Sequence, residues 1–123
     1  MQSRKLYRFL CLLFLPILVC TMACAQPGTY EKREDAYLIS GEHAYGEDSH
    51  TLFLRAGDKL KVTCNSSEGT LEVTIGQEGK TPLYRSNGLE NGSFVLVASE
   101  DGAYTIYVRM TSFVGQASFC EGE

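Results

Sequence analysis

The densest group of side chains that could do chemistry lies between Gly41 and His50. It contains two imidazoles and two carboxylates, from His43, Glu47, Asp48 and His50. Such groups can bind a divalent cation, but their spacing matches neither a calcium-binding loop nor a zinc motif. We therefore predict no metal site, keep these four residues only as weak candidates, and interpret the segment as a solvated acidic loop. Histidines beside acids also predict some sensitivity to pH.

The cysteines suggest a cross-link rather than a reactive thiol. Cys11 and Cys20 lie in the apolar N-terminal segment and Cys24 at its end, so Cys64 and Cys120 remain for the domain. An even pair in an exported domain predicts a disulfide. Two separate buried thiols stay open as the alternative, because the sequence does not show whether the two Cβ atoms are within reach. Neither cysteine has a second metal ligand at close spacing.

Exposed aromatic rings are the best candidates for a binding surface. Tyr107 points outward from a strand whose alternate positions are apolar, and Tyr84 and Phe113 lie near predicted edges or loops. Aromatic rings on a β-sandwich can stack on sugars or peptides. The chain has no tryptophan, which argues against sugar. A purely structural role for Tyr107, in a cross-strand pair, also remains open.

Catalytic machinery is not evident in the sequence. The serines lie in turns without a nucleophile-elbow motif, and the acids are scattered over exposed positions. Catalysis would need a nucleophile beside a base, or paired carboxylates in a cleft. We therefore predict that the protein is not an enzyme, with no catalytic residues and no cofactor.

The N-terminus has the pattern of an export signal, which we predict as a helix over residues 1–25. Three basic residues, Arg4, Lys5 and Arg8, precede an almost wholly apolar run from Phe9 to Val19. A basic n-region followed by an apolar h-region is typical of such signals. The apolar span is also about long enough to cross a bilayer as an uncleaved anchor.

Two processing routes compete at the end of this signal. Ala23-Cys24-Ala25 followed by Gln26 fits ordinary signal cleavage, which would release a secreted protein. Thr21-Met22-Ala23-Cys24 resembles a bacterial lipobox, which implies lipidation of Cys24 at the outer face of the cell membrane. Thr21 departs from the usual aliphatic residue. The near absence of a polar segment before Cys24 nevertheless favours the lipoprotein.

The charge balance excludes some partners. After the signal, eight basic and fifteen acidic residues remain, giving a net charge of −7. Nucleic-acid binding depends on basic residues that neutralise phosphates, so we predict no nucleic-acid partner. Anionic headgroups would also repel the domain, and membrane attachment should therefore come from a lipid on Cys24.

Beyond the signal, residues 26–35 read as a polar tether and residues 36–123 as one all-β domain. About eight short strands are separated by Gly, Asn and Asp turns, with no helical periodicity. This pattern predicts a single antiparallel β-sandwich, jelly-roll-like in arrangement. The predicted strands cover residues 36–40, 51–54, 59–64, 71–75, 83–84, 94–98, 104–110 and 115–120.

The strand from Tyr104 to Met110 is the predicted centre of the sandwich, because its alternation is the clearest in the chain. Phe94 to Ala98 is apolar at every position, which predicts cover on both faces. The turn between the two predicts a β-hairpin. The predicted core consists of Leu60, Val62, Leu71, Val73, Ile75, Phe94, Leu96, Tyr104, Ile106, Val108 and Phe119.

Two stretches carry a resemblance to known families. Leu54-Arg55-Ala56-Gly57-Asp58-Lys59-Leu60 resembles the opening of jelly-roll domains in exported bacterial proteins, including the bacterial pre-peptidase C-terminal type. The run from Leu71 through Gly102-Ala103-Tyr104-Thr105-Ile106 is similar to the GOLD-type sandwich of secretory-pathway cargo proteins. These resemblances imply an eight-stranded, non-catalytic module for adhesion, packing or protein contacts. No binding residues carry over from either family.

Taken together, the sequence predicts a non-catalytic module, secreted or in the cell envelope, that binds an envelope protein or an extracellular ligand. A structural accessory lipoprotein of an envelope assembly is the alternative. An enzyme inhibitor is a further one.

Overall fold

The computed structural model describes residues 26–122, and all of its regular structure is β-strand. The predicted signal helix, the processing alternatives and lipidation of Cys24 lie outside these residues. Within them, no helix is long and apolar enough to span a membrane. The six strands are β1 (Thr29–Lys32), β2 (Ala36–Leu54), β3 (Lys59–Gly76), β4 (Tyr84–Ser86), β5 (Gly92–Val97) and β6 (Gly102–Gly122).

Three of these strands are long, and each bends in the middle so that its two halves lie in different layers. The pairing of β2 with β6 shifts register between Gly41 and Gly46, and that of β3 with β6 shifts between Ser66 and Thr70. The side chain of Tyr37, in the first half of β2, contacts that of Asp48 in the second half. The strand must therefore fold back over itself, and one hydrogen-bonded sheet becomes an antiparallel sandwich.

The bends use backbone conformations that ordinary strands avoid. His43 and Ser112 have φ values of 56° and 47°, and Gly69 in β3 has a φ of 77°. Left-handed φ values are costly for residues with a Cβ, and they mark sharp changes of chain direction. The predicted loop from Gly41 to His50 is thus wrong, because residues 46–50 are paired with β6 and only the bend itself is irregular.

The two layers share β2, β3 and β6. The five-stranded layer has the order β1, first half of β2, second half of β6, first half of β3, β5. The four-stranded layer has the order second half of β2, first half of β6, second half of β3, β4. The prediction of a central strand from Tyr104 to Met110 is confirmed, because this half of β6 lies between β2 and β3.

The core lies between the layers. Nine of the eleven predicted core residues are buried, whereas Phe94 and Leu96 are only partly buried and pack against the core from the edge. Tyr104 belongs to a smaller cluster with Leu54 and Ala98 at the end of the sandwich where the turns lie. Alternation alone therefore identified the inward positions of the long strands, as the pleat requires.

Residues 26–35 are not simply a tether. Thr29–Lys32 forms β1, which pairs with Tyr37–Ser40 of β2 at the edge of the five-stranded layer. Tyr30 packs against the core. The segment is short and polar, so it lacks the alternation that reveals a strand in sequence; its pairing depends on the partner strand instead.

The predicted hairpin between residues 94–98 and 104–110 is also wrong. β5 pairs with β3 in the five-stranded layer, whereas the first half of β6 lies in the other layer. The turn between them therefore crosses from one layer to the other. Consequently β5 is an edge strand, and Val95 and Val97 are 51% and 50% exposed rather than covered.

Candidate functional site

A groove of about 460 Å³ crosses the outer face of the five-stranded layer. Two rows of directly opposed residues line most of it. The first row is Thr29, Ser40, Gln116 and Asn65, and the second is Glu31, Leu38, Ser118 and Thr63. We call these eight residues the polar groove.

Alternation along the strands places these side chains on one face. Ile39, Cys64, Ala117 and Phe119 point into the core, so their neighbours in sequence point outward. The two rows lie two residues apart on each strand and run across four adjacent strands. The groove therefore runs roughly perpendicular to the strands and presents a new side chain about every 4.8 Å.

The polar groove offers hydroxyl and amide groups with little charge. Asn65 and Gln116 are exposed, and both can donate and accept hydrogen bonds. Its one carboxylate, on Glu31, is paired with the Arg33 guanidinium. Leu38 supplies an apolar patch in the middle. The arrangement suits a neutral ligand rich in hydrogen-bonding groups.

A second groove, of about 430 Å³, adjoins the first and shares Thr29, Ser40 and Gln116 with it. It continues past Pro27 and Glu42 toward the bends of the long strands. The polar surface thus extends from the middle of the layer to one end of the molecule.

The four weak metal candidates do not form one site. His43 Nδ1 lies 3.6 Å from a Glu68 carboxylate oxygen, and His50 Nε2 lies 2.6 Å from the Arg33 carbonyl oxygen. Glu47 accepts a hydrogen bond from the Tyr107 hydroxyl of the neighbouring strand β6, on the outer face of the four-stranded layer. Across residues 26–122, no three His, Cys, Asp or Glu side chains are arranged to hold a metal ion.

Asp48 instead joins the two layers at their open side. The Tyr37 hydroxyl donates to Asp48 Oδ2 at 2.5 Å, and Lys32 Nζ lies 3.3 Å from Oδ1. Burial, together with the hydrogen bond to the Asp48 carboxylate, raises the pKa of Tyr37 well above its usual range. Burial also raises the pKa of Tyr30, which stacks beside Tyr37. The contacts of Lys32 and Tyr37 with Asp48 hold β1 and the first half of β2 against the four-stranded layer, so their role is structural.

The predicted disulfide is contradicted by the register of β3 and β6. Cys120 pairs with Lys61 and Cys64 pairs with Ala117, so the two cysteines are three positions apart along the ladder. That is about 10 Å, beyond the reach of about 7 Å between disulfide Cα atoms. Cys64 also faces the core, whereas Cys120 follows the inward Phe119 and faces outward. Both thiols are free.

The three predicted aromatic residues are not brought together. Tyr107 lies at the centre of the outer face of the four-stranded layer and is 36% exposed. Tyr84 lies at the β4 edge, partly buried, with its ring 5.0 Å from that of Phe94. The prediction of Phe113 as a surface residue is wrong, because its side chain is 1% exposed and lies in the core beside the bend of β6. A shared aromatic platform is therefore absent from these three positions.

Sequence reasoning missed the polar groove because its residues are ordinary when taken one at a time. Thr63, Asn65, Gln116 and Ser118 are short polar side chains at outward positions of two strands. The available signal was that these outward positions carry no charge in an otherwise acidic domain. Their alignment into rows depends on pairing between distant strands, which alternation does not specify.

Comparison with known proteins gives a match to no protein-family model and to none of the curated proteins. Several solved structures are similar. A periplasmic inhibitor of g-type lysozyme, PliG from Aeromonas hydrophila, is 15% identical over 80% of this chain and 96% of its own, with a TM-score of 0.45. A low-affinity xylan-binding module from Roseburia intestinalis is 14% identical over 77% of this chain and 84% of its own, with a TM-score of 0.42.

A structure of accessory secretory proteins 1, 2 and 3 from Streptococcus pneumoniae is 10% identical over 78% of this chain and 86% of the matched chain, with a TM-score of 0.41. All three scores lie below 0.5, so these similarities do not contribute to the assignment of function. The chain's own strand pairing establishes the antiparallel β-sandwich. The resemblance to pre-peptidase C-terminal and GOLD-type domains stays a prediction.

Proposed function

We propose that this chain is an exported, non-catalytic binding module whose ligand lies in the polar groove. The proposed ligand is a neutral oligosaccharide of the cell envelope or its surroundings. Anchoring through a lipid on Cys24 is part of the proposal, and secretion in soluble form is its alternative.

The observation that carries the proposal is the uncharged chemistry of the groove. The domain has a strong excess of acidic residues, yet the groove contains one carboxylate, and that carboxylate is paired with Arg33. Hydroxyl and amide side chains form hydrogen bonds with sugar hydroxyl groups, while Leu38 can contact the apolar face of a sugar ring. The strand spacing of about 4.8 Å is close to the length of a pyranose residue, so successive sugars would meet successive strands.

Glycan-array screening of the mature chain, followed by calorimetric titration of any bound oligosaccharide, tests this proposal. Gln116→Ala and Asn65→Ala each remove exposed amide groups without touching the core. We expect each to weaken binding by about 1–2 kcal/mol, because an unreplaced hydrogen bond to a ligand has that order of value.

Thr74→Ala is the matched control, because Thr74 is an outward polar residue on the other layer. It should leave the affinity unchanged. The proposal is wrong if no neutral glycan binds, or if Thr74→Ala weakens binding as much as Gln116→Ala.

A further inference from the structure

We propose that the edge of β5 that faces away from β3 binds an extended acidic segment of a partner protein by β-strand addition. This surface adjoins the polar groove but is distinct from it, and the inference does not depend on the glycan proposal.

Main-chain hydrogen-bonding groups on β5 point to solvent at alternate residues. The Ala98 N–H donates to the Asp58 carbonyl, and the Ala98 carbonyl accepts from the Gly57 N–H, both on the β3 side. Because bonding alternates along an antiparallel ladder, Val97, Val95 and Ser93 direct their N–H and C=O groups away from β3. Among the strands of residues 26–122, β5 pairs with β3 alone.

The residues with free main-chain groups also carry exposed apolar side chains. Val95 and Val97 are about half exposed and lie on the outer face, while Phe94 and Leu96 face the core from the edge. An added strand would therefore contact apolar side chains on both of its faces. Large exposed apolar residues on an edge strand are typical of sites that bind another chain.

The other edges of the sandwich carry the features that discourage such pairing. β1 contains Glu31 and Lys32, and the second half of β2, which is an edge of the four-stranded layer, contains Glu47 and Asp48. β4 is only three residues long and includes Arg85. Charged side chains and short length protect edges from association. Across residues 92–97, β5 has neither a charge nor a proline.

Two lysines identify the chemistry of the partner. Lys61 pairs with Val95 and Lys59 pairs with Val97, so their side chains share the outer face with the two valines. Within residues 26–122, neither lysine takes part in an ion pair. An added strand would lie two strand spacings from β3, about 10 Å, which long lysine side chains can bridge to acidic side chains. The fitting segment alternates acidic residues outward with apolar residues inward.

A second copy of this chain fits the edge less well. Antiparallel pairing of two β5 strands would extend the valine stripe, but it would place Lys59 and Lys61 of both copies on one face. β5 brings no acidic residue to oppose them. A second copy would therefore leave all four lysines without acidic partners. The charge arrangement therefore selects an acidic partner segment.

Fluorescence anisotropy with the mature chain and labelled peptides tests the proposal. The probe is an alternating glutamate–valine peptide of about eight residues, long enough for one strand, and the comparison peptide replaces glutamate with lysine. We expect the acidic peptide to bind at least about tenfold more tightly. N-methylation of the peptide amides that face β5 should abolish binding, because strand addition requires main-chain hydrogen bonds.

Two variants of the chain complete the test. Val95→Pro removes a free-edge N–H without breaking the ladder to β3, since proline is tolerated where an edge N–H faces solvent. Lys61→Glu reverses one charge. Each should weaken peptide binding about tenfold or more, with unchanged circular dichroism. Arg85→Glu, an exposed position on the outer face of the other layer, should leave binding unchanged, as should Gln116→Ala in the polar groove.

Three outcomes would overturn the proposal. One is no binding of the acidic peptide to the folded chain. Another is equal binding of the N-methylated peptide, a result that does not depend on whether Val95→Pro folds. The third is a stable dimer in sedimentation velocity that Val95→Pro converts to monomer, which would make a second copy the occupant.

Discussion

Gly69 packs against the main chain of β6 where β3 and β6 both bend. It has a φ of 77°, and a Cβ built at this position would lie 2.1 Å from the Ser112 carbonyl oxygen. Ser112 itself has a positive φ. The bends of β3 and β6 thus fit together only because Gly69 has no side chain.

Gly69→Ala should destabilise the protein by about 3 kcal/mol or more. A left-handed φ costs about 1–2 kcal/mol for a residue with a Cβ, and the overlap with main-chain atoms adds about 1–3 kcal/mol. Urea unfolding measures the effect. Gly79→Ala is the control, since Gly79 has the same φ with open space around its Cβ position. Equal losses in the two variants would contradict a steric role for Gly69.

Tyr37 should contribute to the alkaline limit of stability. Its folded pKa is raised above the ordinary value of 10.0, so the folded state favours the neutral phenol. The contribution is complete below about pH 10 and is lost as the pH rises further and the unfolded phenol ionises. Tyr37→Phe should cost about 1–2 kcal/mol at pH 7 through the lost hydrogen bond to Asp48.

Raising the pH from about 9 to about 11 should lower the free energy of unfolding of Tyr37→Phe less than that of the wild type. Urea unfolding across this range measures both effects. Some alkaline slope should remain, because the pKa of Tyr30 is also raised. Tyr45→Phe, at an exposed position, should behave as the wild type does. Identical slopes for Tyr37→Phe and the wild type would contradict the assignment.

At the scale of strands, the register of β3 and β6 decides the state of the cysteines. Cys64 lies in the core, where burial raises the pKa of its thiol, and Cys120 is only partly buried. The thiolate is the reactive form, so Cys64 should react slowly with alkylating reagents. We expect native labelling at Cys120 and labelling at Cys64 only after unfolding, as read by peptide mass spectrometry.

Reductant serves as the control in that experiment. Pretreatment should not change the labelling pattern, because Cys64 and Cys120 are not joined by a disulfide. If both cysteines are protected from labelling and reductant relieves that protection, the two thiols are joined by a disulfide. That result would contradict the register of β3 and β6.

Much of the fold could be predicted because alternation is a local signal. Val62, Val73 and Val108 are predicted to face inward and do so in the structure, and Tyr84, predicted near an edge or loop, lies in the edge strand β4. These inferences need only the period of two along each strand. Turn residues supplied the approximate strand boundaries.

The remaining features depend on contacts between distant residues. The partner of β5 was misassigned because neighbours in sequence usually pair, whereas here the short turn crosses between layers. The bends join pairs of predicted strands into single long strands, which no local pattern reveals. The polar groove and the separation of the cysteines follow from register, so neither could be read before the pairing was known.

At the scale of the whole molecule, the end of the sandwich that contains the bends should face the membrane if Cys24 is lipidated. Gln26 forms a bridge with Ala44, and the Tyr45 N–H donates to the Gln26 carbonyl. Only Ala25 lies between Gln26 and Cys24. The opposite end lies about 30 Å away, the length of a nine-residue strand.

Lipid-borne nitroxides in phosphatidylglycerol and phosphatidylethanolamine vesicles test this orientation. A fluorophore at Tyr45→Cys should be quenched strongly, and one at Lys80→Cys weakly, both in a Cys120→Ser background. Cys24→Ala should remove quenching at both positions. Equal quenching of the two labels would mean that the chain before Gln26 does not fix the orientation.

Because Gln26 pairs with Ala44 only two residues after Cys24, a lipid anchor would also limit where a ligand can come from. With the strands standing upright on a bilayer, the rows of the polar groove run parallel to the membrane plane, and Thr29 lies in the row nearer the lipid. A bound polymer would lie along the surface within a few nanometres of the headgroups. A module held this way can sample only what passes close to its own membrane.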